Sequence, residues 1–264
     1  MSSVNDDVFD MGTQTVQLLK LGPETSSHPP PPKPLLIATP TGEGEYPVLV
    51  FLHGYLLYNT FYSQLLIHVA SHGFIVVAPQ KARPRRPQPR RQSRLALTLG
   101  FAPTTLKFSA LIGIDPVDGT AKGNQTSPPV LTYIPRSFDL NSPVMVIGSG
   151  LGEVKRNALF PACAPKGVNH SDFFKECHPP ACYFVAKDCG HLDMLDDETK
   201  GLRGKVSYCL CKNGKARGPM RRFVGGVVVA FLKARLEGDD RCLVAIRDDP
   251  AIAPVVLERI EFLE

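Results

Sequence analysis

Short, unbroken runs of apolar residues constrain the fold of this chain most strongly. Residues 48–52 read Val-Leu-Val-Phe-Leu, and residues 74–78 read Phe-Ile-Val-Val-Ala. Between them, Leu65, Leu66 and Val69 show helical spacing within residues 62–71. Unbroken rather than alternating runs are typical of strands that are covered on both faces of a parallel sheet. The order strand, helix, strand therefore predicts an α/β fold.

The same pattern continues along the chain. Further strands are predicted at residues 15–19, 35–39, 111–114, 144–147 and 182–185, and helices at residues 95–99 and 223–236. Residues 26–34 contain four consecutive prolines, which fit neither a helix nor a sheet interior, so this segment is predicted to be an exposed linker. We expect residues 1–34 to form an N-terminal strand and linker, and residues 35–264 to form one domain.

The positive charge of the chain is concentrated in one irregular, basic loop at residues 81–94. Seven of the 30 basic residues lie there, so the remaining 23 are outnumbered by 25 acidic residues and the formal net charge of +5 belongs to this loop. We therefore expect no nucleic-acid partner. The N-terminus has no visible transit peptide, and no apolar stretch approaches the roughly 20 residues of a membrane span.

The seven cysteines do not dictate a disulfide framework in a chain of this length. Cys163 and Cys177 could bridge a loop, but we expect buried or free thiols. Cys209 and Cys211 have no matching second pair, so they are also expected to be thiols, and no metal site is predicted.

A His-Gly turn follows the predicted strand at residues 48–52. In ester hydrolases the N–H after such a turn can donate to the oxyanion, because glycine lets the backbone face the substrate. Tyr55, which follows His53 and Gly54, would supply that N–H. The alternative is a plain glycine turn with a capping histidine.

Two more polar residues follow predicted strands. Asp115 comes directly after residues 111–114, and His191 comes shortly after residues 182–185. The order acid then histidine fits the hydrolase order of nucleophile, acid and base. The alternatives are a helix cap for Asp115 and a structural role for His191. Asp193, Asp196 and Asp197 are expected to be a solvated cap of the next helix.

Several blocks of the sequence resemble the plant chlorophyllase family. The similar blocks are residues 49–58, 71–80, 112–119, 163–170, 190–197 and 211–214. They occur in the family's order and cover nearly the whole chain. The resemblance implies an α/β-hydrolase fold with a mostly parallel central sheet, which would here be incomplete at the nucleophile strand.

The resemblance also implies an activity. Chlorophyllases hydrolyse the phytyl ester of chlorophyll to chlorophyllide and phytol with a Ser-Asp-His triad and no cofactor. By position, Asp115 would be the acid, His191 the base and Tyr55 the oxyanion donor. The substrate implies a plant chloroplast, with the cytosol or a peripheral membrane as the alternative, and a chlorophyll-type partner with possible association with a membrane surface.

The family's serine lies in a Gly-His-Ser-Arg-Gly-Gly elbow that this chain lacks. Permitted codons for residues 81–92, read one nucleotide later, encode Lys-Leu-Ala-Leu-Ala-Gly-His-Ser-Arg-Gly-Gly, a strand and the missing elbow. We therefore interpret the basic loop as a frame-shifted and internally truncated nucleophile segment. Ser93 and Ser149 are the substitute nucleophiles to consider, although a strand-end turn is the favoured interpretation of Ser149.

Three functions follow from these patterns. The first is a chlorophyllase-type hydrolase, which in this chain would be inactive because the serine nucleophile is missing. The second is a non-catalytic pseudo-hydrolase that binds pigment or lipid. The third is an interaction protein that docks through its basic loop.

Overall fold

The computed structural model describes residues 7–22, 30–81, 107–199 and 209–264, and these residues form strands with helices packed against them. The strands are β1 (Val16–Leu21), β2 (Leu35–Pro40), β3 (Val48–Val50), β4 (Ile75–Pro79), β5 (Leu111–Ile114), β6 (Val144–Ser149), β7 (Ala181–Ala186) and β8 (Leu257–Leu263). The helices are α1 (Ser63–Ser71), α2 (His170–Glu176), α3 (Arg217–Leu232) and α4 (Arg241–Asp248).

The described strands form two four-stranded sheets, in the orders β1-β2-β4-β3 and β5-β6-β7-β8. Three pairs run parallel: β3 with β4, β5 with β6, and β6 with β7. Three pairs run antiparallel: β1 with β2, β2 with β4, and β7 with β8. This arrangement confirms the predicted α/β class.

In the order of the strands, the first sheet ends at β3 and the second sheet begins at β5. Each of these strands has one neighbour among the strands that the structure describes. Residues 82–106, which include most of the basic loop and the predicted helix at residues 95–99, lie outside the described part of the chain. The resemblance places the family's nucleophile strand, which this chain is predicted to lack, in this part of the sequence.

The prediction that residues 48–52 are a strand covered on both faces is wrong. The strand β3 is only three residues long, and Val48 and Val50 are 63% and 42% exposed. An apolar run is buried on both faces only when other elements cover both of them. The sequence run alone does not reveal that β3 is an edge among the described strands.

One hydrophobic core nevertheless spans both sheets. Helix α3 is buried along most of its length, and its apolar residues share a cluster with β2 and β4 of one sheet and with β6 and β7 of the other. The N-terminal residues join this core, because β1 pairs with β2 and Phe9 stacks on Phe223 with ring centroids 6.3 Å apart. Gly226 allows this approach, since a Cβ atom there would lie 2.4 Å from Phe9.

The carboxyl ends of the parallel strands carry the polar residues that the sequence singles out. His53 follows β3, Asp115 follows β5, Ser149 ends β6 and His191 follows β7. Ligands bind at this edge in open α/β sheets. The fold therefore brings Asp115, Ser149 and His191 together at the carboxyl edge of the second sheet.

Candidate active site

Asp115 and His191 are in direct contact. The Asp115 carboxylate is fully buried, and its Oδ2 atom lies 2.7 Å from Nδ1 of His191. The imidazole is 26% exposed, so one side of the base is open while the other is held by the acid. An acid on Nδ1 orients an imidazole and stabilises its charged form.

The backbone at Asp115 is unusual. Its φ angle is +44°, in the left-handed region that non-glycine residues rarely adopt and that aspartate tolerates better than most. Its N–H donates to the Ile147 carbonyl at 2.7 Å, which extends the β5–β6 pairing by one residue. This hydrogen bond fixes the point at which the chain leaves the sheet and the side chain enters the site.

Burial raises the pKa of Asp115. This effect is outweighed by the hydrogen bond from His191, the positive potential of His191 and His170, and the hydrogen bond from Ser149. The net effect is a pKa below the ordinary value. Asp115 is therefore ionised at neutral pH, as an orienting acid must be.

The loop that carries His191 is held by a buried carboxylate. Oδ2 of Asp193 accepts hydrogen bonds from the N–H groups of Gly190 and Gly214, each at 2.6 Å. Gly190 is required here, since a Cβ atom would lie 2.1 Å from the Lys212 carbonyl oxygen. Burial raises the pKa of Asp193 more than these hydrogen bonds lower it.

The expectation of a solvated cap at Asp193, Asp196 and Asp197 is wrong for the first two, which are buried. The Asp196 carboxylate accepts from the backbone N–H groups of Ser63 and Gln64 and so caps α1, a helix distant in sequence. The exposed Asp197 pairs with Arg221 at 2.7 Å. Because these backbone donors are far from Asp196 in the sequence, no local pattern predicts this cap.

The His-Gly turn after β3 is well defined. Nε2 of the buried His53 accepts from the Lys81 N–H at 2.9 Å, so Nδ1 carries the proton and donates to the Gly54 carbonyl at 2.9 Å. Burial lowers the pKa of His53, and the nearby charge of Lys81 lowers it further. The turn therefore holds a neutral histidine.

Tyr55 lies beyond this turn with an exposed side chain. Among the residues that the structure describes, no acceptor lies within hydrogen-bond distance of its N–H.

Ser149 contacts the acid rather than the base. Its Oγ donates to Oδ2 of Asp115 at 2.5 Å, its N–H donates to Oδ1 at 3.0 Å, and the residue is fully buried. A nucleophile needs its hydroxyl on the base and open to substrate. The second substitute, Ser93, lies outside the described residues.

The expectation of free thiols is wrong for Cys163 and Cys211. Cys163 forms a disulfide with Cys211, while Cys177, the partner considered for it, is free and buried. The bonded residues are 48 positions apart, and no spacing rule pairs them. The disulfide joins the loop after β6 to the segment before α3 that packs against Gly190.

Within the described ranges, no group of three or more histidine, cysteine or acidic side chains is arranged to hold a metal ion. The same part of the chain contains no helix that is both long and apolar enough to cross a bilayer.

Comparison with known proteins identifies close relatives of the chain. The chlorophyllase family model matches residues 4–93 and again residues 90–264. Chlorophyllase-2 of Arabidopsis thaliana is 55% identical over 300 residues, covering 94% of each protein. Chlorophyllase-1 of the same plant is 39% identical over 307 residues, covering all of this chain and 94% of its own length. Chlorophyllase-1, chloroplastic, of Citrus sinensis is 39% identical over 296 residues, covering 97% of this chain and 89% of its own length.

The match to the family model is divided within the basic loop. The two parts of the family match meet at residues 90–93. The alignment with chlorophyllase-1 of Arabidopsis thaliana has 307 positions for the 264 residues of this chain, so about 43 positions have no residue from it. With chlorophyllase-2, 94% of this chain is about 248 residues against 300 positions, a deficit of about 50. These two relatives therefore have residues that this chain lacks.

Proposed function

The chain belongs to the chlorophyllase family of carboxylic-ester hydrolases, and we propose that it retains the acid, the base and the oxyanion donor of that family while lacking the serine. Asp115 is the acid, His191 the base and the Tyr55 N–H the oxyanion donor. The observation that supports this most directly is the 2.7 Å contact between Asp115 and His191 at the carboxyl ends of β5 and β7.

The proposed substrate is the phytyl ester of chlorophyll or a close relative of it, encountered in the chloroplast or at a membrane surface. In a complete triad the base takes the proton of the serine hydroxyl while the oxygen attacks the ester carbonyl, and then returns it to the departing alcohol. Without that hydroxyl no acyl-enzyme forms, so the covalent route is closed. We therefore expect no chlorophyllase turnover from the chain as written.

We propose that the serine segment was lost through a change in the messenger RNA. The interrupted family match at residues 90–93 and the deficit of about 43 to 50 positions support an internal truncation next to the basic loop. The shifted reading of residues 81–92, which yields the missing elbow, supports a change of frame at the same place. Sequencing the transcript tests this, because a message that encodes residues 81–94 with no shifted elbow nearby contradicts it.

A direct assay tests the loss of activity. The purified chain is incubated with chlorophyll and with a p-nitrophenyl ester, alongside the His191→Ala variant. The expected result is equal, background hydrolysis of both esters by both proteins and no labelling by a serine-directed fluorophosphonate. Hydrolysis of chlorophyll that disappears in His191→Ala would show a working enzyme with another nucleophile.

The second candidate function is pigment binding without turnover. It is favoured by the retained acid–base pair and by the exposed Tyr55 at the carboxyl edge of the sheets. Saturable quenching of chlorophyllide fluorescence, unaffected by salt, is the expected result. Binding that falls steeply with salt and is lost when the arginines of residues 81–94 are neutralised would instead favour docking through the basic loop.

A further inference from the structure

A surface loop follows β6 and has no part in the chemistry proposed above. Residues 152–164 begin three positions after β6 ends, and the Ala164 N–H donates to the Gly152 carbonyl at 2.9 Å, so the two ends of the loop meet. Surface loops of this length with closed ends frequently have a function. Residues 153–161 are all exposed, so the loop projects from the protein.

The base of the loop is fixed close to the candidate active site. The N–H of Leu151 donates at 3.0 Å to the carbonyl of Cys189, two residues before His191. The disulfide between Cys163 and Cys211 fixes the other end of the loop. A loop that is already ordered loses less conformational entropy when it binds. The loop is therefore an ordered projection next to the segment that carries the base.

The tip of the loop presents apolar side chains to solvent. Oδ1 of Asn157 accepts from the N–H groups of Leu159 and Phe160, at 3.0 and 3.2 Å, which forms a local turn. Leu159 is 86% exposed, the highest value among the large apolar residues that the structure describes, and Phe160 is 37% exposed. Single exposed apolar residues are ordinary, whereas neighbouring ones mark surfaces that bind other molecules or membranes.

Basic residues accompany these apolar residues in the sequence. Lys155, Arg156 and Lys166 are exposed, and the only acidic residue in residues 152–166 is Glu153. The Glu153 carboxylate accepts from Nδ2 of Asn169 at 2.7 Å. Apolar side chains flanked by cations suit the interface of a bilayer with anionic lipids, because the side chains enter the acyl boundary while the cations stay at the headgroups.

We propose that residues 152–164 form a membrane-docking loop, in which Leu159 and Phe160 enter the interface of an anionic bilayer and the basic side chains contact its headgroups. This inference rests on the proposed function, because the phytyl chain of the proposed substrate is apolar and partitions into the same bilayer. Docking through this loop brings the carboxyl edge of the second sheet, with its acid–base pair, to the surface where such an ester lies.

The chain contains no tryptophan, which permits a direct test of insertion. Leu159→Trp places a single indole at the tip of the loop. The matched control is Leu236→Trp, at an exposed leucine four residues after the end of α3. Each full-length variant is mixed with vesicles of equal parts phosphatidylcholine and phosphatidylglycerol. The expected result is a blue-shifted emission that brominated lipid quenches in Leu159→Trp, and neither effect in Leu236→Trp.

Co-sedimentation with the same vesicles measures the strength of binding. Serine at both Leu159 and Phe160 should weaken it about ten-fold or more, since the buried apolar area is lost. Lys155→Gln should weaken it about five-fold at low salt, and Leu236→Ser should match the wild type.

Three results would overturn the inference: no binding of the wild-type chain, no blue shift in Leu159→Trp, or equal binding by the double serine variant and the wild type. The last result, combined with loss of binding when the arginines of residues 81–94 are neutralised, would assign docking to the basic loop instead.

Vesicle binding does not require turnover, so the two proposals fail separately. A chain with a restored serine that hydrolyses detergent-dispersed chlorophyll but does not bind vesicles contradicts the docking loop alone. A chain that binds vesicles through Leu159, but whose restored form shows no hydrolysis that depends on His191, contradicts the proposed function alone.

Discussion

Replacing Cys163 with serine removes the disulfide that joins the loop after β6 to the segment beside His191. The bonded residues are 48 positions apart, so opening the bond releases a closed loop of that size in the unfolded chain. The chain-entropy relation gives a loss of about 4 kcal/mol in the free energy of unfolding for such a loop. This is a large part of the roughly 5–15 kcal/mol that stabilises an ordinary domain.

Urea unfolding followed by circular dichroism measures this loss, with and without a reductant. The matched control is Cys209→Ser, which removes an exposed free thiol two positions from Cys211. We expect Cys163→Ser, and the wild-type chain under reductant, to unfold at clearly lower urea than the oxidised wild type, and Cys209→Ser to match the wild type. Equal midpoints for Cys163→Ser and the oxidised wild type would show that the disulfide does not stabilise the fold.

Three further predictions concern stability. Burial lowers the pKa of His53 and His68 in the folded state. The stability that they confer is therefore present above their unfolded pKa of about 6.5 and is lost as the pH falls below it. Urea unfolding at several pH values across this range should show that the free energy of unfolding depends less steeply on pH in His68→Gln than in the wild type. Gly148→Ala should cost about 1–3 kcal/mol by overpacking against His170, and an unchanged urea midpoint would contradict that packing. Asp196→Ala should cost about 1–2 kcal/mol in thermal unfolding, because two N–H groups at the start of α1 lose their acceptor, and a loss near zero would count against the cap.

Most of the sheet was predictable because its signal is local. The strands β4, β5, β6 and β7 lie within a residue or two of the predicted ranges, since unbroken apolar runs ended by glycine or polar residues define them. The contact between Asp115 and His191 followed from the same signal. Each residue comes after a parallel strand, and the carboxyl ends of such strands lie at one edge.

The features that the sequence does not predict are contacts between residues that are distant from each other in the chain. The disulfide partner of Cys163 and the backbone N–H groups bound by Asp196 follow from how loops meet in the fold. Ser149 is a candidate nucleophile by sequence, because the sequence around a serine at a strand end does not show whether its hydroxyl contacts the base or the acid.

The division of the sheets bears on whether the lost segment could be restored. The acid and its partners lie in the second sheet, where β5, β6 and β7 pair in continuous register. The acid and the base proposed above therefore come from residues that the structure describes. We predict that reinsertion of the segment proposed to carry the nucleophile completes the triad.

The most direct test restores the segment that we propose is missing. The frame at residues 81–92 is corrected, and the deficit of about 43 to 50 positions is filled with the corresponding residues of a relative. The rate of phytyl-ester hydrolysis is then measured. We predict that this restored chain converts chlorophyll to chlorophyllide, whereas the unrestored chain does not. His191→Ala in the restored chain should lower the rate by roughly 10³-fold or more. Equal hydrolysis by the restored chain and its His191→Ala variant, or turnover of chlorophyll by the unrestored chain, would contradict it.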